Sequence, residues 1–231
     1  MNQQKRRIIA DVEFVTPLTD TVLQVMLKPE TYVDYHAGQY LQIMTDHDAY
    51  SYSIANAPLG SHRYELHIRH SRDHATNQAF LTAMKQQGQV VLELPHGDCY
   101  LQRLDSQKPI LFLAAGSGFA PIKAMIEQLF ADGDSRRIAL YWGVQTQHDL
   151  YMDEKIKQWQ VHIHQLSYVS HLSKSSEKNL VTVALEQHDD DLLDYQVVMS
   201  GPFDLMYSMR DTLLAQGVRR EQLFSDAFSF E

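Results

Sequence analysis

A chain of 231 residues, 44% of them hydrophobic, can build one large domain or two small ones around a proper core. Its 29 acidic against 20 basic residues, a net charge of −9 with no basic stripe, argue against a nucleic-acid surface, and no run approaches the roughly 20 apolar residues of a membrane span. The single Cys99 leaves neither an internal disulfide nor an iron–sulfur cluster, which takes four ligands, and the basic opening from Met1 to Arg7 breaks off too soon for a secretory leader, so a cytoplasmic location is expected.

The first hundred residues read as short strands. Segments 8–15, 21–27, 39–44, 63–69 and 89–94 are β-branched or alternating, and several are bounded by Pro, Gly or Asp turns. Strands at this density predict a closed antiparallel barrel. One helix interrupts them over 77–86, with Thr76 as its N-cap. Polar Asp105-Ser-Gln-Lys-Pro109 marks a boundary, dividing the chain into 1–104 and 105–231. Beyond it strands at 110–115, 137–142, 161–166 and 195–200 alternate with helices at 121–131, 151–159, 180–187 and 203–216, predicting a doubly wound parallel sheet. Residues 171–179, rich in Ser and Lys, are expected to form a mobile loop.

Within this pattern Ile110-Leu-Phe-Leu-Ala-Ala-Gly-Ser-Gly-Phe-Ala-Pro121 is the densest in chemistry. A buried strand ends in Gly116 and Gly118, and Pro121 opens a helix whose apolar residues at 122, 125, 126, 129 and 130 share one face. Two glycines let the backbone approach a ligand, and a helix N-terminus offers free N–H groups and partial positive charge, which together make a phosphate cradle. The same glycines also serve as a plain strand-to-helix turn, and Pro121 stands where the dinucleotide fingerprint has its third glycine. Upstream, Tyr52-Ser53 offers a ring to stack on a flat heterocycle and a hydroxyl to bond one of its nitrogens, although Tyr-Ser is also a common strand ending.

Taken in order, Ala37-Gly-Gln-Tyr40, Tyr52-Ser-Ile-Ala55, Ala115-Gly-Ser-Gly-Phe-Ala-Pro121, Tyr141-Trp-Gly143 and Ser200-Gly-Pro202 resemble the ferredoxin–NADP reductase superfamily. Leu94-Pro-His-Gly97 and the closing Leu223-Phe-Ser-Asp-Ala-Phe-Ser-Phe230 narrow the likeness to bacterial NAD(P)H:flavin oxidoreductases. The resemblance covers nearly the whole chain. It implies a flavin-binding barrel followed by a nicotinamide-nucleotide domain, and hydride transfer from NADH or NADPH to a flavin (riboflavin, FMN or FAD). By the same resemblance Tyr52 packs on the flavin ring, Ser53 polarises its N5 as the catalytic hydroxyl, and Ile54 and Ala55 meet the ring through their backbones. Gly116, Ser117, Gly118 and Pro121 line the nucleotide path, Ser200, Gly201 and Pro202 hold the nicotinamide, and Asp226 and Phe228 close over the site.

One departure stands out. The superfamily usually has an arginine two residues before the stacking tyrosine, to clamp the flavin phosphate, and this chain has Tyr50 there. Arg69 or Arg72 is the candidate replacement, and a loosely held flavin that behaves as a substrate follows. The loop 144–149 has no Lys or Arg for a 2′-phosphate, which tilts the reading to NADH or dual use. The alternatives are a reductase with bound flavin serving a protein partner such as an oxygenase, or a nucleotide-binding module without activity; a ferric complex is a further acceptor for the reduced flavin. His162 and His164 share one face of the strand expected there, Asp189-Asp-Asp191 reads as a solvated turn, and neither these nor Cys99 receives a metal or catalytic role.

Overall fold

The computed structural model describes residues 4–70, 81–82, 84–188 and 191–230. Its first half contributes β1 (Arg6–Pro17), β2 (Val22–Pro29), β3 (Tyr40–Met44), β4 (Ala49–Ser53), β5 (Tyr64–Arg69) and β6 (Gln89–His96). These strands form one antiparallel sheet in the order β4-β3-β6-β1-β2-β5. Alternation along them sends Val25, Leu27, Leu41, Ile43, Leu66 and Leu92 into a common core. An isolated antiparallel bridge between Ile54 and Leu66 joins the two sheet edges and rolls the expected barrel closed. β4 adds a strand to the five read from the sequence. The helix expected over 77–86 is helical at 81–82 and 84–87, while Thr76 and Arg72 lie outside the described residues.

The second half alternates as predicted: β7 (Ile110–Ala115), α1 (Phe119–Ala131), β8 (Ile138–Val144), α2 (Asp153–His162), β9 (Leu166–Leu172), α3 (Leu180–Gln187), β10 (Gln196–Ser200), α4 (Phe203–Ala215) and β11 (Leu223–Phe224). All five strands are parallel, in the order β11-β10-β7-β8-β9. β7 is buried along its whole length, the apolar run of a parallel strand covered on both faces. Phe112 and Trp142 of the sheet share one core with Ile126 of α1 and Ile156 of α2, while Leu111 and Tyr141 share the other with Leu180 of α3 and Met206 of α4. The chain steps outward from β7 to β8 and β9, then returns to place β10 on the other side of β7. That reversal opens a crevice beyond the carboxyl ends of β7 and β10, where sheets of this kind take their ligands. Cys99, Leu101 and Leu104 pack into the same core as β7 and α1, although they precede the division expected at 104/105.

One strand falls elsewhere than expected. Segment 161–166 alternates like a strand, yet α2 runs on through His162 and β9 begins at Leu166. Burial of Ile156 and the contact of the Trp159 ring with Phe130, at 5.6 Å, hold the helix down and leave Val161 69% exposed. His162 therefore ends a helix, His164 lies in the following turn, and the two do not share a strand face. His171 and Leu172, assigned to a loop from sequence, are the last residues of β9. Among the described residues no helix is long and apolar enough to cross a membrane.

Candidate active site at the carboxyl ends of β7 and β10

β7 passes through a tight turn, Gly116–Gly118, directly into α1, which starts two residues before Pro121. Pro121 thus falls in the first turn, where N–H groups have no helical partner and its missing one costs nothing. Gly116 adopts a φ of +56°, in the left-handed region. Its carbonyl accepts a hydrogen bond from Trp142 Nε1 at 2.9 Å, and the Trp142 ring stacks on Phe119 with centroids 4.3 Å apart. The turn is therefore held from β8. Gly118 is needed for space: a Cβ there would overlap the Ser200 carbonyl, because the turns after β7 and β10 touch backbone to backbone. The result is a rigid helix N-terminus suited to an anion.

The barrel supplies the facing wall. Residues alternate along β4, so Ser51 and Ser53 share one face, and Tyr50 and Tyr52 pack in part against the barrel core. Burial pushes the Tyr52 phenol up to about 12, with Tyr50 adding to the shift, so Tyr52 is a neutral ring at physiological pH.

Two cavities meet at this wall. The larger, about 860 Å³, is lined by Tyr52, Ser53 and Arg69 from the barrel, and by Gly116, Ser117 and Gly118 opposite them. Ser200, Gly201 and Pro202 complete that side. The smaller, about 260 Å³, is lined by Tyr40, Cys99, Pro121, Met125 and Asp226, and Ser51, Ser53, Ser200 and Gly201 border both.

The structure thus gathers most of the predicted residues; Thr76 lies outside the described ones, and Ile54, Ala55, Tyr50 and Phe228 are the exceptions among the rest. Ile54 and Ala55 are fully buried and line neither cavity; their amides are spent on the Gln39 and Glu65 carbonyls at 3.0 and 2.7 Å. Backbone contact with a ring through those N–H groups is therefore closed off. Tyr50 lines neither cavity. Phe228 does not close over the site either: its ring sits under the Arg220 guanidinium at 4.5 Å and beside Tyr207. Sequence reasoning missed Ser51, His67 and Tyr151, all three of which line the larger cavity. Ser51 was recoverable, since it shares the β4 face with Ser53.

Asp226 accepts hydrogen bonds from the amides of Cys99, at 3.1 Å, and Asp98. Burial nevertheless pushes its carboxyl from an ordinary 3.8 up to about 6, and buries the Cys99 thiol in its protonated form. A carboxyl raised in this way favours the folded state while protonated; that contribution is complete below pH 3.8 and is lost as pH rises through about 6. Asp226→Asn keeps an oxygen for both amides. It is expected to leave stability unchanged at pH 3.5 and to raise it by roughly 1–2 kcal/mol at pH 8, the full shift being discounted for partial exposure. Denaturant unfolding at both pH values checks this, and an equal gain at both would overturn it.

Comparison with known proteins agrees with this architecture. Residues 112–211 match the family model of the oxidoreductase NAD-binding domain. Over 212 residues the chain is 31% identical to the CDP-6-deoxy-L-threo-D-glycero-4-hexulose-3-dehydrase reductase of Yersinia pestis, matching 90% of this chain but only 64% of that relative's length. Over 219 residues it is 29% identical to a probable flavin reductase of Photobacterium leiognathi, covering 90% of this chain and 93% of that protein. Among solved structures, the ferredoxin reductase in carbazole 1,9a-dioxygenase superimposes with a TM-score of 0.82 at 20% identity, over 99% of this chain and 71% of that one. A ferredoxin NADP+ reductase from Neisseria gonorrhoeae, solved with bound FAD and NADP, gives 0.76 at 19% identity over 95% and 97%. The chain is thus similar in sequence to flavin reductases and to a dehydrase reductase, carries an oxidoreductase NAD-binding domain over residues 112–211, and shares its two-domain fold with ferredoxin reductases of solved structure.

Proposed function

We propose that the protein is an NAD(P)H:flavin oxidoreductase that passes a hydride from the nicotinamide C4 to N5 of a loosely held flavin and releases reduced flavin. One observation carries the reading: a single cavity of about 860 Å³ holds the Tyr52–Ser53 pair on one wall and the Gly116–Gly118 cradle on another. A flat ring against Tyr52 and a pyrophosphate at the α1 N-terminus suit the two walls. The hydride carries both electrons, and a proton from water completes the reduced flavin. Catalysis is then positioning of two rings in near contact, with the Ser53 hydroxyl polarising the acceptor nitrogen. Ser200, Gly201 and Pro202 hold the nicotinamide, and Asp226 borders the adjoining space.

The weak hold on flavin follows from Tyr50, which brings no charge and stands outside the cavity walls. Arg69 lines the larger cavity and is the contact we assign to the phosphate of FMN or FAD. NADH is favoured over NADPH because the loop after β8 sends Asp149 into the cavity wall, while Lys178 on the same wall is held by Glu186 at 2.7 Å. Reduced flavin would then serve an oxygenase, dioxygen or a ferric complex.

The test is oxidation of NADH and NADPH by dialysed protein with riboflavin, FMN or FAD added or withheld. Turnover that requires added flavin, with NADH the better donor, is the expected result. Stoichiometric flavin retained through dialysis would instead favour a reductase serving a protein partner, and no turnover with any flavin would overturn the reading.

A further inference from the structure

Lys123 lies five residues past Gly118 on α1, and it is 2% exposed. Its ammonium reaches across to the barrel. Nζ stands 2.9 Å from the Ala55 carbonyl, 3.0 Å from Glu65 Oε2 and 3.0 Å from Glu127 Oε1, so all three N–H groups are engaged. Each carboxylate is anchored again on its own side. Glu65 Oε1 accepts from Gln24 Nε2 at 2.8 Å and lies 2.9 Å from His67 Nε2, while His67 Nδ1 meets the Tyr151 hydroxyl at 3.2 Å. Glu127 accepts from Lys155 Nζ at 3.0 Å and from the Ala57 amide at 3.4 Å. Burial holds His67 neutral, so Lys123 and Lys155 balance Glu65 and Glu127.

A buried ion cluster adds little stability over apolar packing of the same volume, because desolvation consumes most of the Coulomb gain. What it fixes is geometry. Ala55 is two residues from Ser53, and the Lys123 ammonium is tied through one helical segment to Gly118, so a single side chain connects the two walls of the larger cavity. We propose that Lys123 is a positioning residue for hydride transfer, its clamp on the Ala55 carbonyl setting the separation between the Tyr52–Ser53 platform and the Gly116–Gly118 cradle. The inference rests on the flavin reductase reading and adds to it a residue that touches neither ring.

Three variants test it: Lys123→Met, Lys123→Arg, and Lys123→Met combined with Glu65→Gln, which removes the buried Lys123–Glu65 pair together and keeps the test readable if the first fails to fold. Displacement of about 1 Å costs on the order of 10²-fold in rate. For folded Lys123→Met or the double variant, kcat should fall about 30- to 100-fold while KM for NADH and flavin stays within about threefold. The isotope effect with 4-deuterated NADH should rise, and amides at residues 54–57 should exchange faster with solvent deuterium. Lys123→Arg should recover most of the lost kcat. An unchanged kcat and isotope effect in the folded variants, unchanged exchange at 54–57, or a Lys123→Arg no better than Lys123→Met would each overturn the clamp. Wild-type protein inactive with every flavin would defeat the flavin reductase reading instead, and the exchange measurement would still decide the clamp.

Discussion

Gly118→Ala is expected to lower kcat/KM for NADH by about 10²-fold or more, while Gly116→Ala keeps activity within about tenfold of wild type. The contrast comes from what each new methyl would meet. At Gly118 it overlaps the Ser200 carbonyl and crowds the Gly201 nitrogen, 2.7 Å away; both are backbone and cannot swing aside. The turns after β7 and β10 must then part, widening the crevice in which we place the nucleotide. Overpacking of this kind costs about 1–3 kcal/mol, so the protein should fold with a lowered Tm. Gly116 has open space for a methyl and bears only the strain of its φ of +56°, about 1 kcal/mol. Calorimetric titration with NADH and steady-state rates check the pair. Equal losses at both positions would show that backbone freedom, rather than the contact between turns, is what the site requires.

Glu65→Ala should destabilise the fold by roughly 3–5 kcal/mol, the cost of leaving a buried charge without its partner. Lys123 would keep only Glu127 and the Ala55 carbonyl, and the His67 Nε2 hydrogen would lose its acceptor. Glu65→Gln keeps one of the two acceptor oxygens and most of the volume while losing the charge, and should cost about half as much. The effect depends on pH in the sense opposite to Asp226. Burial alone would raise Glu65, but the His67 hydrogen bond and the Lys123 ammonium outweigh it and hold the carboxyl well below its ordinary 4.5. Its stabilisation is therefore present above about pH 4.5 and is lost as pH falls from there toward the folded value. Urea unfolding at pH 7 and pH 3 should show the gap between wild type and Glu65→Gln shrinking at the lower pH; a gap that stays constant would assign the cost to packing.

How far the sequence alone reveals this molecule depends on where each residue gets its neighbours. Strand 110–115 and helix 180–187 are legible to the residue, because local apolar pattern and flanking turns decide them. Segment 161–166 misleads, since its alternation competes with a helix anchored by Ile156 and Trp159 upstream. In the site, Ser53, Gly116, Gly118 and Ser200 are carried by motifs. The cluster around Lys123 is not. In Tyr64-Glu-Leu-His-Ile-Arg69 the alternating Glu65 and His67 read as the solvent face of a half-buried strand, and α1 with Tyr151 then covers that face. Lys123 likewise sits between apolar helix positions and reads as an ordinary surface charge. Only the packing of two domains turns these polar residues inward, and no local pattern encodes that.

Among the described residues β4 pairs along its length with β3 alone, and past Ser53 the barrel is closed by a single bridge. A sheet margin left open is usually an invitation to stray strands, but this one is five residues long and borders the larger cavity. The Ile54 amide bonds the Gln39 carbonyl, and in that register the main chain of Tyr52 faces β3 while the amides of Ser51 and Ser53 face the open margin, where no side-chain replacement removes them. Alanine scanning along β4 would for that reason miss any grip on a ligand through these amides, and swapping an amide for an ester at Ser51 or Ser53 would expose it.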